Sequence, residues 1–188
     1  MSNREWLRNW EATYPSQTAS IAPALADVKA SIKSLLNQAR AGLALPFVLA
    51  LNGEVVGQLN VASIQRGSVS SAGIGYWIAE SAAGQGAMTR AVALVTDFCM
   101  VNHGLHRVEI CIRPENHKSM RVVEKLGFRF EGLRRRFIHI NGAWADHFCW
   151  ALVREDVPEG VFTRYSLGLV PVDVSQPPAE LRAQYQRG

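Results

Sequence analysis

What the chain has little of narrows it before any motif is read. Cysteine is scarce: Cys99, Cys111 and Cys149 are an odd three, none spaced from another as metal ligands are, and all stand in apolar segments. They read as small core residues in a reducing compartment, with no disulfide framework and no metal site. No apolar run approaches the ~20 residues that a membrane-spanning helix needs. The opening MSNREWLRNW has no apolar core of the kind a secretory leader carries. The expectation is a cytoplasmic protein with no membrane partner. Neither sign of charge dominates: the net charge is +4 and the pI near 9.2. That is a mild bias toward anionic partners, such as a phosphorylated cofactor or ribosome-associated RNA. No segment repeats. With 188 residues, 48% of them hydrophobic, the chain suits one globular domain that buries most of its unfolded surface. Residues 1–155 are read as that domain. Residues 156–188, with Pro158, Pro171, Pro177 and Pro178 among polar stretches, are read as a tail, partly helical or disordered.

What is there centres on Gly73 to Val101. Ile74–Ala79 is a short apolar and aromatic run that predicts a strand, and Met88, Ala91, Val92, Val95 and Cys99 recur at helical spacing up to Val101. Between them lies Ser81-Ala82-Ala83-Gly84-Gln85-Gly86-Ala87. A strand, a glycine-bearing loop and a helix N-terminus form a phosphate-binding device, because the first helical N–H groups have no intrahelical partner and the helix dipole favours negative charge there. The plainer alternative is an ordinary turn. No Gly-Lys-Ser/Thr follows, so this is no Walker A loop, and the third glycine of GxGxxG is missing.

Around it, helices are expected at Asn3–Ala12 and Ile21–Ala41, then strands at Phe47–Leu51 and Glu54–Val61 joined by Asn52-Gly53. His106–Ile112 alternates as a strand, Lys118–Leu126 reads as a helix stopped by Gly127, and Phe128–Ile140 and Trp144–Val153 form a hairpin over Asn141-Gly142. Two helices, three strands, a helix, a strand, a helix and two strands predict an α+β (mixed α/β) domain. Its sheet is mixed, mostly antiparallel, with helices on both faces and a parallel strand–helix–strand crossover at the glycine loop.

Three blocks carry a family resemblance: GYWIAESAAGQGAMTRAV, HRVEICIRPENHKSMRVVEKLGFRFEG and RRRFIHINGAWADHFCWAL. Together they resemble the GNAT acetyltransferase superfamily, and within it the RimJ/RimL branch that acetylates N-terminal amines of ribosomal proteins. The likeness runs from about Trp6 to Arg154. It implies a GNAT fold with acetyl-CoA as co-substrate in a wedge between the Ile74–Ala79 and His106–Ile112 strands. Backbone groups of Ile78 and Ala79 would pair with the pantetheine arm. The N–H groups of Gly84, Gln85, Gly86, Ala87, Met88 and Thr89 would take the pyrophosphate. Asn116 would hold the pantetheine or order its loop, or cap a helix, and both can hold at once. Ser119 would hydrogen-bond or protonate the departing thiolate; the alternative is a first-turn serine bonded to its own backbone.

Several positions depart from the family pattern. The tyrosine expected four residues after the serine is Val123, which leaves Ser119 the only hydroxyl on its helix. The glutamate expected five residues before the asparagine is Cys111. Glu109, on the same strand face, would act as base through a water or be paired with Arg107 or another arginine. A base role on the penultimate strand, near Ile138, is empty or has passed to His139. Arg134-Arg135-Arg136 is a solvated strand edge or a contact for an acidic segment or RNA. Trp77 is the candidate lining of the acceptor channel, while Asp146 and His147 receive no role. Ala83 replaces a longer polar residue of the loop, and the family's first strand is missing. The favoured acceptor is a protein N-terminus, with transient ribosome association. A small amine such as an antibiotic, polyamine or amino acid is the second reading, and a non-catalytic acyl-CoA-binding module the third. The protein would be a monomer or homodimer. The α-amine fits a weak base: with a pKa near ~8 it is about a tenth neutral at pH 7, whereas a lysine at ~10.4 is under a thousandth neutral.

Overall fold

The structure is a computed structural model and describes residues 3–13, 15, 25–171 and 173–185. A single turn of helix, α1 (Arg4–Leu7), is followed by α2 (Leu25–Arg40) and the strands β1 (Leu45–Leu51), β2 (Glu54–Gln65) and β3 (Ser71–Ile78). Then come α3 (Ala87–Val101), β4 (Arg107–Ile112), α4 (His117–Leu126), β5 (Arg129–Ile140) and β6 (Ala143–Val153), and last α5 (Val161–Ser166) and α6 (Ala179–Tyr185). The six strands make one sheet in the order β1-β2-β3-β4-β6-β5. Every neighbouring pair is antiparallel except β3 and β4. The fold class is as the sequence predicts.

Alternation decides which face of the sheet is covered. On β4, Val108, Ile110 and Ile112 are buried while Arg107, Glu109 and Cys111 are not. The buried set joins Leu59 and Val61 of β2, Ile74 of β3, Val92, Ala93 and Cys99 of α3, and Val123 and Leu126 of α4 in one core. A one-residue slip of β4 would turn Arg107 and Glu109 into that core and expose its three aliphatic residues, so burial pins the register. Both Asn-Gly hairpins form, with φ of 50° and 85° at Asn52 and Gly53 and 48° and 89° at Asn141 and Gly142.

One expectation for the N-terminal segment changes. The first helix stops at Leu7 instead of reaching Ala12, because the backbone beyond it is engaged elsewhere. Arg113 Nη1 donates to Asn9 O at 2.8 Å, Ala12 bridges Ile140 of β5, and Thr13 N donates to His139 O at 2.8 Å. No strand precedes α2 among the described residues. Positions 21–24 of the second expected helix lie outside the described residues.

The segment expected as a tail, partly helical or disordered, carries the helices α5 and α6, and its described residues pack onto the rest of the domain. Val157 and Val161 belong to the core, and Trp150 Nε1 donates to Ser175 O at 2.8 Å. Tyr185 lies edge-on to Phe148 and donates to Asp146 Oδ2 at 2.5 Å. Its helix α5 ties two others together. Asp97 of α3 accepts from the N–H groups of Val161 and Phe162 at 2.7 and 3.0 Å, where a carboxylate meets the helix's unpaired donors. Arg164, only 4% exposed, donates to the carbonyls of Asp156 at 2.9 Å and of Leu126 at 2.7 Å, at the C-terminal end of α4. A cation there also complements the helix dipole. Replacing Arg164 by Ala strands these buried carbonyls and is expected to cost about 3 kcal/mol. Thermal unfolding should show a Tm lower by about 6–12 °C; an unchanged Tm would mean that α5 does not brace α4.

Candidate active site

The site begins where two strands part. β3 and β4 pair only at Ser71 with Arg107, Ala72 with Val108 and Gly73 with Glu109. Beyond Gly73, β3 stays with β2 as far as Ile78, while β4 stays with β6 as far as Ile112. A bulge in β2 at Ser63, where φ is 53°, faces this point: Ala62 pairs with Gly73, but Gln65 with Ser71. Bulges sharpen strand bend and twist, and here the bend carries β3 away from β4. Ala79 N donates to Val56 O at 2.7 Å, so alternation turns the backbone groups of Ile78 and Tyr76 toward the gap, where they have no ladder partner.

This corrects one residue of the expected pantetheine pair. Ala79 N–H is used by Val56, and its carbonyl accepts from Ala82 N at 3.0 Å, so neither group faces the gap. Ile78 does face it, and its carbonyl accepts from the indole N–H of Trp6 at 3.0 Å.

The glycine loop leads from β3 into α3. Gly84 and Gly86 have φ of 79° and 78°, left-handed values that an L side chain rarely adopts, and Gly86 is the N-cap of α3 with no side-chain cap. The first helical N–H with a partner is that of Arg90, which donates to Gly86 O at 3.1 Å. The N–H groups from Gly84 to Thr89 have no acceptor among the described residues. Unpartnered donors at a helix N-terminus are of the kind that can receive an anion. Gln85 lies in the loop but uses its side chain to close it, donating to Ser81 O at 3.1 Å. Arg90 adds a cation that sequence reading missed: its Nη1 lies 3.6 Å from where a Cβ on Gly86 would stand.

Across the gap stands α4. Asn116 is its N-cap, and Oδ1 accepts from Ser119 N at 3.1 Å. Ser119 Oγ lies 2.7 Å from Tyr76 Oη. Burial pushes the Tyr76 phenol well above its usual range, with the Ser119 hydrogen bond opposing weakly, so the phenol keeps its proton and acts as a hydrogen-bond partner. A second hydroxyl thus stands beside Ser119, supplied from β3. Tyr76 and Ser119 stand 43 positions apart; the parallel crossover was the one signal that could have joined them.

Glu109 lies on the opposite face of the sheet and is not a free base. Its Oε2 accepts from Arg107 Nη2 at 3.1 Å and Arg134 Nη2 at 2.7 Å, and Arg107 also binds Glu131 at 2.5 Å. Of the two alternatives for Glu109, the paired one holds. Trp77 shares this face, 36% exposed, with Nε1 donating to Gln58 at 3.4 Å. His139 anchors the N-terminal segment, its Nδ1 2.8 Å from Thr13 Oγ1. His147 is buried, which depresses its pKa, and its Nδ1 meets Ala145 O at 3.0 Å. Of the arginine run, Arg134 pairs with Glu109, and Arg136, at φ 47°, donates its N–H to Asp146 at 2.7 Å.

The segment around α1 spans the mouth of the gap. Asn3 Oδ1 accepts from Glu80 N at 3.2 Å beyond β3. The Lys118 ammonium of α4 sits 4.2 Å from the Trp6 ring centroid, and Arg113, after β4, lies over Trp10 at 5.6 Å. Read in sequence, Trp6 and Trp10 are only the apolar side of a short helix; nothing local signals that Trp6 bridges β3 and α4 or that Trp10 meets Arg113.

Comparison with known proteins agrees with this geometry. Residues 1–129 match the family model described as Acetyltransferase (GNAT) domain. The chain is 40% identical over 107 residues to the probable N-acetyltransferase YjcK of Bacillus subtilis, covering 57% of this chain and 59% of that protein. It is 30% identical over 107 residues to the ribosomal protein uS5-alanine N-acetyltransferase of Escherichia coli, covering 57% and 55%. The chain thus spans less than two thirds of the length of these curated relatives. Among solved structures it is similar to Mycobacterium smegmatis RimJ in complex with CoA-disulfide, with a TM-score of 0.82 and 37% identity over 88% of this chain and 79% of that one.

The Tyr76–Ser119 pair predicts a separable effect. Ser119→Ala should lower kcat for acetyl transfer by about 10²-fold with acetyl-CoA affinity little changed, and Tyr76→Phe should lower kcat less. Steady-state kinetics beside equilibrium binding tests this. A Ser119→Ala enzyme with unchanged kcat would remove the hydroxyl from the chemistry.

Proposed function

The chain belongs to the GNAT acetyltransferase family, and from that premise we propose that it is an acetyl-CoA-dependent N-acetyltransferase acting on the N-terminal α-amine of a protein, ribosomal by likeness to its relatives. The observation that carries this is the run of unpartnered N–H groups from Gly84 to Thr89, set beside the unpaired edge of β3. That pairing fits a ligand with a diphosphate at one end and an amide-bearing arm at the other. The N–H groups of the loop and Arg90 hold the diphosphate. The backbone groups of Tyr76 and the N–H of Ile78, whose carbonyl is taken by Trp6, hold the arm, and Asn116 keeps the α4 turn in place. Bound acetyl-CoA supplies an acyl group activated by a thiol leaving group.

Ser119, oriented by Tyr76, donates a hydrogen bond to the sulfur as the carbon–sulfur bond breaks. The amine attacks the thioester directly; no step requires an acyl group on the enzyme. Glu109, already shared by two guanidinium groups, does not take the amine's proton, so the neutral amine comes from solution. The extra ~2.4 pKa units of a lysine relative to an α-amine would add about 3.3 kcal/mol to that requirement. A site without a strong base therefore favours an N-terminus. The mild positive charge of the chain, +4, suits transient encounter with a ribosomal surface.

Initial rates from pH 6 to 10 test this with three acceptors: a peptide with a free N-terminus, an N-blocked peptide containing lysine, and a polyamine. The free N-terminus should be the preferred acceptor, its rate rising about tenfold per pH unit and levelling above about pH 8. Preference for the polyamine would favour the small-amine reading. Binding of acetyl-CoA without turnover of any acceptor would favour a non-catalytic module. A plateau already reached near pH 6 would mean that the enzyme supplies a base after all.

A further inference from the structure

Cys111 of β4 and Cys149 of β6 stand directly opposite each other. The kind of pair they form follows from a neighbour. Arg154 N donates to His106 O at 2.9 Å, one step before the Arg107–Val153 pair. Antiparallel positions alternate between hydrogen-bonded and non-hydrogen-bonded pairs. Counting from the 106–154 position, the 111–149 pair falls in the non-hydrogen-bonded class. Such pairs hold their α-carbons ~4.5 Å apart, within the ~4.4–6.8 Å that a disulfide spans. Both thiols are free, and both sulfurs lie within 4.8 Å of each other and of a Glu109 carboxylate oxygen.

We propose that Cys111 and Cys149 are an oxidation site, at which hydrogen peroxide joins the two thiols into a cross-strand disulfide without displacing either strand. A thiolate attacks one peroxide oxygen, giving a sulfenic acid and water once protons are counted. The second thiol then attacks that sulfur and expels the oxygen as water. In sum, two thiols and one hydrogen peroxide give one disulfide and two waters.

The surroundings favour this over the other uses of such a cluster. A metal ion would have to share Glu109 with Arg107 and Arg134, whose guanidinium groups already hold one carboxylate oxygen and repel a cation. A hydrogen bond from Cys111, helped by the nearby Arg134, lowers the pKa of Cys149, while the same hydrogen bond and burial push that of Cys111 up, so Cys149 is the first thiolate. Cys111 is partly exposed, on the sheet face away from the helical core. The third thiol serves as a control: Cys99 is fully buried in α3, and burial pushes its pKa up to about 11. Cys111 also lies two residues past Glu109, where β4 has lost β3, so the bond would tie one wall of the gap to β6. In sequence the pair is invisible, because 38 positions separate its members.

Treating the folded protein with a small excess of hydrogen peroxide and reading intact mass, free thiols and linked peptides tests this. The expected result is a mass lower by two hydrogens, one remaining thiol and a 111–149 cross-link, all reversed by dithiothreitol. With Cys111→Ser, Cys149 should instead accumulate as a sulfenic acid that dimedone traps. Separate gain of oxygen at the two cysteines of the wild type without a cross-link would overturn the proposal. So would three unreacted thiols, or a bond that involves Cys99.

Discussion

The structure depends on the loss of pairing between β3 and β4. They share three paired positions and then follow different neighbours, leaving backbone donors and acceptors unmatched in the middle of a sheet. Unpaired backbone inside a fold is costly unless something satisfies it. Here part of it is met by Trp6, whose indole takes the Ile78 carbonyl, and the rest faces an opening that a ligand with amide groups can fill. The gap, the cradle at Gly84–Thr89 and the Tyr76–Ser119 pair are three consequences of one divergence. β3 presents the open edge, its continuation supplies the loop, and α4 reaches Tyr76 from across the gap.

Holding such a gap open requires braces outside the sheet. α3 and α4 share one core on the sheet, and a third helix adds polar ties to both. α5 does so from behind, with Asp97 of α3 at its N-terminus and Arg164 clamped on the last carbonyls of α4. In front, the N-terminal segment crosses from Glu80 to Lys118 and on to His139. Among the described residues, the N-terminal segment and α5 thus tie the elements on either side of the site together without adding a strand to the sheet.

What could be read in the sequence was what is local. Asn-Gly at both hairpins, the alternation of β4 and the glycines before α3 each depend on a few adjacent residues, and all appear where expected. The N-cap of α4 was equally legible, because Asn116 and Ser119 lie within one turn. What was not legible depends on partners far apart in the chain. Tyr76 meets Ser119, Arg134 meets Glu109, Cys111 meets Cys149, and Arg164 meets Leu126 only after the sheet is assembled. The family resemblance implies both Ile78 and Ala79 at the pantetheine arm, but adjacent residues of a strand turn their backbone groups to opposite sides, and only the bond to Val56 reveals that Ile78 is the one that faces the gap. The segment after position 155 looked like a tail because its prolines break secondary structure; its anchors, Val161, Arg164 and Tyr185, are spaced too widely to form a pattern.

The central claim is that the gap and the cradle together bind acetyl-CoA, and thermal unfolding of the purified protein tests it most directly. Acetyl-CoA at about 100 times its dissociation constant should add about 2.7 kcal/mol of stability, raising Tm by about 5–11 °C. ATP, which has phosphates and adenosine but no pantetheine arm, should give no comparable rise. No shift with acetyl-CoA, or an equal shift with ATP, would contradict the claim that the divergence of β3 and β4 is a binding site for the acyl-carrying arm.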